Sequence, residues 1–280
     1  MNGKLRTILF IVIIALLLGI FGYCAYSLIV YYAASHESKE VYSGLADMLG
    51  PTRATIAIPG EESDGVTPTL PVESPYITVI HPDTGEEVQM YPEYEELFLL
   101  NPDLIGWITI EGTVIDYPVV QTAEDNPDYY LKKNYYGEKD MHGCIYAREQ
   151  CDVFKPSDNI TLYGHRMNDG TMFDALKNYK TVKFWKDHRY IRFDTLTDRG
   201  LYEIVAVFRT TAVANEGFAY HMFVDAETPE DFDTFIQECK SKDIFDTGVT
   251  AEYGDKLITL STCEYHEAHG RLVVVAKRIA

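Results

Sequence analysis

Hydrophobic and polar positions divide the chain into three unequal stretches. From Ile8 to Ala34, twenty-seven residues pass without a charge. At ~1.5 Å rise per residue, a helix of that length crosses a ~30 Å hydrocarbon core. Residues 35 to 50 are mixed and can continue as a short helical stalk. Pro51 to Pro75 then holds five prolines among Thr, Glu and Gly, with too little apolar surface to form a core. That composition reads as a spacer. Beyond Tyr76, short apolar, β-branched and aromatic runs recur at 105–110, 114–121, 144–147, 159–163, 190–194, 202–210, 256–262 and 272–277, and each reads as a strand. Turn residues separate many of them, as in Asn168-Asp169-Gly170 and Asp198-Arg199-Gly200. Helical patterns, each with acidic residues toward its start, fall at 93–100, 172–179 and 231–240. Eight antiparallel or mixed strands with a few peripheral helices predict a mainly β domain closed into a barrel, which leaves no sheet edge open.

Charge orients these parts. Lys4 and Arg6 are the only charges before the apolar stretch, and Glu37 and Glu40 are the first acids after it. The positive-inside rule then keeps residues 1–7 cytoplasmic, with 8–34 as a transmembrane signal anchor, 35–75 as an extracellular stalk and linker, and 76–280 as one outward domain. A cleaved signal peptide is the competing reading, since Ala33-Ala34-Ser35 has the small residues of a cleavage site, but the apolar run is long for one. The formal net charge is −19, so the part beyond the span carries about −21 once Lys4 and Arg6 are set aside. Such a surface repels phosphate backbones and argues against nucleic acid as a partner.

Of five cysteines, Cys24 lies in the span and Cys144, Cys151, Cys239 and Cys263 lie beyond it. A domain of this size needs no disulfide framework, although a hairpin could bring Cys144 and Cys151 together. Cys239 lies in the helical-looking stretch 229–242 and reads as a buried or half-buried small hydrophobe. Cys263 differs, because it ends the seventh predicted strand while Arg271 opens the eighth, and His165 follows the fourth. Pairing of the last two strands would bring Cys263 and Arg271 together, with all three residues on one rim. A thiol, an imidazole and a guanidinium supply a nucleophile, a proton shuttle and an oxyanion clamp, the parts needed for acyl transfer through a thioester. His266 and His269 follow closely as Cys-x-x-His-x-x-His, but three candidate ligands without a second cluster make a weak zinc site, and no metal or other cofactor is expected.

Several fragments in order carry a family resemblance: Gly106-Trp107, Asp116-Tyr-Pro-Val-Val-Gln121, Thr161-Leu-Tyr-Gly-His165 with Met167 and Gly170-Thr-Met-Phe173, Leu260-Ser-Thr-Cys263, and Arg271-Leu-Val-Val-Val-Ala-Lys277. Together they resemble the sortases, specifically class B, from roughly Tyr91 to the C-terminus. The long segment between the sixth and seventh strands, with its predicted helix, is similar to the class B arrangement. The resemblance implies an eight-stranded sortase barrel behind one membrane anchor, acting as a cysteine transpeptidase of a Gram-positive cell surface. Such an enzyme cuts a C-terminal sorting signal of a secreted protein, of Asn-Pro-x-Thr type in class B, and joins the new carboxyl end to a cell-wall peptide amine.

By the same resemblance, Cys263 is the nucleophile, His165 protonates the leaving amine and deprotonates the incoming one, and Arg271 holds the oxyanion. The backbone N–H of Glu264 is expected to assist at the oxyanion, and Ser261 and Leu131 to line the substrate groove. Two related activities remain open at this point. A pilus-polymerising sortase would use a lysine of another subunit as its amine, and a cysteine protease would release the thioester to water.

Overall fold

The computed structural model describes residues 3–50, 76–122, 125–211, 213, 216–264 and 269–280. The chain forms two compact units, Met1–Val41 and Tyr42–Ala280. The first is the greater part of a single helix, α1 (Gly3–Leu49), whose apolar stretch is long and hydrophobic enough to cross a membrane. The expected helical continuation through 35–50 is present, and the helix ends where Gly50 takes φ +67. Its last turns belong to the second unit, where Tyr42, Leu45 and Leu49, spaced by three and four residues, are buried. The proline-rich stretch expected to act as a spacer lies outside the described residues.

The second unit opens with a hairpin that the hydrophobic pattern did not single out, β1 (Ile77–Ile80) against β2 (Glu87–Met90). Its strands are too short and too exposed to stand out as periodic runs. After α2 (Glu95–Leu100) come the eight predicted strands, each within a few residues of its expected place: β3 (Leu104–Thr109), β4 (Asp116–Val120), β5 (Ile145–Ala147), β6 (Asn159–Tyr163), β7 (Tyr190–Thr195), β8 (Arg199–Thr211), β9 (Leu257–Glu264) and β10 (Gly270–Arg278). They close into a barrel in the order β10-β8-β7-β3-β4-β5-β6-β9. All neighbours are antiparallel except β4 with β5 and β6 with β9. The predicted helix at 172–179 is a 3-10 helix, Phe173–Lys180, followed directly by α3 (Val182–Asp187), which the pattern did not reveal.

The run Leu272–Ala276 is buried throughout, as a strand covered on both faces must be. One face of β10 looks into the barrel, and α4 (Pro229–Ser241) covers the other. In α4, Phe232, Phe235, Ile236 and Cys239 recur at helical spacing and pack with Phe208, Val273 and Val275. Thr228 caps this helix through a capping box with Asp231, and Pro229 occupies its first turn. Apolar residues of β8 and β10 pack beneath α4, and the candidate chemistry sits on the rim of this wall.

Candidate active site

Register alone delivers two of the three expected residues. In the β9–β10 pairing Arg271 lies directly across from Cys263, and Gly270 across from Glu264. Each pair brings Cα atoms within about 5.5 Å, so thiol and guanidinium share one patch of rim. Arg271 is turned along the backbone, with Nη1 donating to the Gly270 carbonyl at 3.1 Å and toward that of His269 at 3.5 Å. His269 takes φ +61, the left-handed conformation that a side chain adopts only where a tight turn demands it. His266 lies outside the described residues, and among those described no group of three His, Cys, Asp or Glu could hold a metal ion.

His165 arrives by a different route. β6 runs parallel to β9 with Tyr163 beside Ser261. The contact continues past the strand end, since Gly164 N–H donates to the Ser261 carbonyl at 3.2 Å and Thr262 Oγ1 donates to the Gly164 carbonyl at 2.8 Å. This holds the residue before His165 against the residue before Cys263. Gly164 also has no room for a side chain, because a Cβ there would lie 2.5 Å from Ile145 and 2.6 Å from Phe173. The His165 ring is half-buried, and its Nε2 lies 2.7 Å from the Leu131 carbonyl oxygen. A carbonyl only accepts, so Nε2 carries the hydrogen and Nδ1 is the nitrogen available to exchange a proton. Burial pushes the pKa of His165 below the usual histidine range. The Leu131 bond works against that shift, while the cations His142, Lys132 and Arg271 add to it.

The other thiols of this unit are set apart by burial. Cys144 is pushed up to about 12 and Cys151 to about 11, in each case by desolvation first, and Cys239 is raised as well. Cys144 and Cys151 do not pair: Tyr42 donates to the Cys144 sulfur at 3.3 Å, and Cys151 lies against the Asn159 carbonyl at 3.4 Å. Cys263 is the one cysteine of the second unit that is not buried.

The expected substrate-contacting residues are less uniform. Ser261 is 2% exposed, and its hydroxyl shares a 2.6 Å hydrogen bond with Tyr220. Leu131 sits in the 3-10 turn Tyr129–Lys132 and meets the site through its carbonyl. Glu264 belongs to β9, and its side chain lies outside the described residues. The hydroxyl of Tyr220, and the Leu131 carbonyl as partner of His165, were not foreseen. A backbone carbonyl leaves no mark on residue type, and Tyr220 is one of 21 tyrosines.

A family model described as the Sortase domain matches residues 108–279. Sortase B of Staphylococcus aureus is 34% identical over 190 residues, which cover 67% of this chain and 75% of that protein. Sortase B of Listeria monocytogenes is 35% identical over 200 residues, covering 70% and 78%. A solved complex of Staphylococcus aureus sortase B with its substrate superposes with a TM-score of 0.61 at 33% identity, covering 68% of this chain and 86% of that one.

Proposed function

The chain belongs to the sortase family of cysteine transpeptidases, with sortase B enzymes among its relatives, and from that premise we propose that it cuts the C-terminal sorting signal of secreted proteins and transfers them to a cell-wall peptide amine. In this reading the signal is of Asn-Pro-x-Thr type, as the resemblance to class B implies. Cys263 passes its proton to Nδ1 of neutral His165, and the resulting thiolate attacks the carbonyl carbon of the signal's threonine, whose carbonyl electrons move to oxygen. Arg271 and the Glu264 N–H stabilise that oxyanion. Collapse breaks the peptide bond, Nδ1 of protonated His165 gives its proton to the departing amine, and a thioester to Cys263 remains. An incoming amine loses a proton to the now neutral His165 and attacks the thioester, which restores the thiolate and leaves a new amide bond.

The observation that carries this reading is the cross-strand pair Cys263 and Arg271 on the same rim as an imidazole whose Nε2 is already committed to Leu131. The outward domain, 76–280 in this proposal, works outside the cell, with residues 1–7 cytoplasmic and 8–34 as the anchor. Incubating the full-length protein in detergent micelles with Asn-Pro-x-Thr and Leu-Pro-x-Thr-Gly peptides tests the reading, with intact mass as the readout. A Cys263-dependent adduct formed preferentially from the first peptide supports it. An adduct only from the second assigns another signal class, and none from either removes the reading.

A further inference from the structure

The β6–β9 register carries the chain as far as Gly164, and His165 lies just beyond it. Its ring is aimed by the Leu131 carbonyl, and that carbonyl belongs to a four-residue 3-10 turn. The segment 140–144 backs this turn. Asp140 N–H donates to the Lys132 carbonyl at 3.0 Å, and Cys144 N–H to that of Tyr130 at 3.1 Å. Between them Gly143, at φ +60, approaches so closely that a Cβ would lie 2.7 Å from the carbonyl oxygens of both Tyr130 and Leu131.

His142, in the middle of this segment, is wholly buried. Its Nδ1 lies 2.8 Å from Asp140 Oδ1 and its Nε2 2.9 Å from Asp169 Oδ2. Asp169 stands four residues beyond His165, in the loop that continues from it, and its Oδ1 also accepts from the Thr171 hydroxyl at 2.6 Å. Neither carboxylate can donate when ionised, so both bonds form only if the imidazole carries two hydrogens and a positive charge.

We propose that His142, as an imidazolium bridging Asp140 and Asp169, is the positioning residue that ties the loop after His165 to the segment behind the Leu131 carbonyl. The connections close a circuit: His165 to Leu131, Leu131 against Gly143, His142 to Asp169, and four residues back to His165. The proposal rests on His165 being the proton shuttle. Cutting the circuit at His142 frees the Leu131 carbonyl and the His165 loop to move apart, and it also removes a cation from beside His165.

The other titratable groups facing this bridge stay neutral at working pH or are cations near His165. Tyr42 donates to the Gly143 carbonyl at 2.5 Å and to the Cys144 sulfur. Cys144 is pushed up to about 12 by burial, and so is Tyr117, whose hydroxyl accepts from Met172 N–H at 3.0 Å. Lys132 and Arg271 act with His142 on His165. For His142 itself burial opposes the charge, but the bonds to Asp140 and Asp169 outweigh it and the pKa is raised. The bridge is therefore complete below the ordinary histidine value of ~6.5 and is lost as pH rises through the higher folded value.

The test uses full-length protein in detergent micelles with 15N-labelled histidine, of which there are eight, as wild type, His142→Gln and Asp169→Asn. In the wild type at pH 7, His142 should carry hydrogen on both ring nitrogens and His165 on Nε2 alone. In His142→Gln the His165 titration midpoint should move upward. Its kcat for amine transfer should fall by about ten- to a hundredfold, the cost of a misplaced catalytic group, with KM within about twofold. Asp169→Asn should move both readouts the same way by less. A singly protonated His142 in the wild type overturns the proposal. So does a lowered melting temperature in either variant with the His165 midpoint and kcat unmoved, because that marks a purely structural bond. If His142→Gln does not fold, the wild-type spectrum and Asp169→Asn decide alone. The ring-protonation readouts stand even if no acyl-enzyme forms, so failure of the transpeptidase reading remains distinguishable from failure of this one.

Discussion

The two sides of the candidate site are held by different physics. On one side, Cys263 and Arg271 face each other because β9 and β10 pair, and those strands are pinned from outside by the apolar face of α4. On the other, His165 stands just past the end of β6, where Gly164 bonds to Ser261 of β9, and beyond that it is met by hydrogen bonds from loops: Nε2 to Leu131, and His142 between two carboxylates. Burial of apolar area holds the strand side, an interaction with little dependence on pH. The loop side adds the charge-assisted bonds of His142 to Asp140 and Asp169, whose strength changes with pH. Cys263 and Arg271, the proposed nucleophile and oxyanion partner, thus sit on paired strands, while His165, the proposed proton shuttle, sits beside a bridge that responds to protonation.

The sharpest way to break this comparison is to remove its chemical end points. Cys263→Ala should abolish acyl-enzyme formation completely, read by intact mass, with the melting temperature unchanged because the side chain is not part of the buried layer. His165→Ala should lower kcat by about 10²–10⁴-fold and Arg271→Ala by about 10²–10³-fold, again without unfolding. A fold-preserving variant with wild-type turnover would remove that residue from its assigned role.

Core and loop substitutions then separate the two sides. Phe208→Ala, which opens the layer between α4 and the wall, should destabilise the domain by about 3–5 kcal/mol in denaturant unfolding, while the folded fraction keeps its His165 titration. Gly143→Ala should cost less stability, about 1–3 kcal/mol for a side chain at positive φ, yet disturb kcat more, because its Cβ would push on the Leu131 carbonyl. If Phe208→Ala shifts the His165 titration and Gly143→Ala does not, the two sides are not held separately.

The pH dependence sharpens the contrast further. Because the folded pKa of His142 is raised, the difference in melting temperature between wild type and His142→Gln should be greatest below about pH 6.5. It should shrink as pH rises through the folded value. A difference that grows toward alkaline pH would contradict the charged bridge. The smallest effect is expected from Thr228→Ala, which removes the cap of α4 and should cost about 1 kcal/mol with activity unchanged, since α4 supports the wall from outside.

What the amino-acid pattern revealed follows the same division. The strands that carry Cys263 and Arg271 are long apolar runs a few residues apart in sequence, so both their existence and their pairing could be read from residue order. The eight-stranded barrel was legible for the same reason, whereas β1 and β2, four residues each with half of their side chains exposed, were too short to stand out. On the loop side, His165 was legible only through the motif around it. The Leu131 carbonyl has no side-chain signature, and Asp169 lies 27 residues from His142, so nothing local marked them as partners. Polar networks closed by long-range contacts become visible only once the fold brings their members together.

The central claim is that Cys263 forms a thioester which an amine resolves. It is tested most directly by mixing the full-length protein with an Asn-Pro-x-Thr peptide and following intact mass, then adding a glycine or diaminopimelate-type amine. A mass increase equal to the acyl fragment is expected, absent in Cys263→Ala, that disappears on amine addition as the peptide–amine product forms. Loss of the adduct only as free acid, at a rate the amine does not change, would mean a hydrolase and contradict transpeptidation.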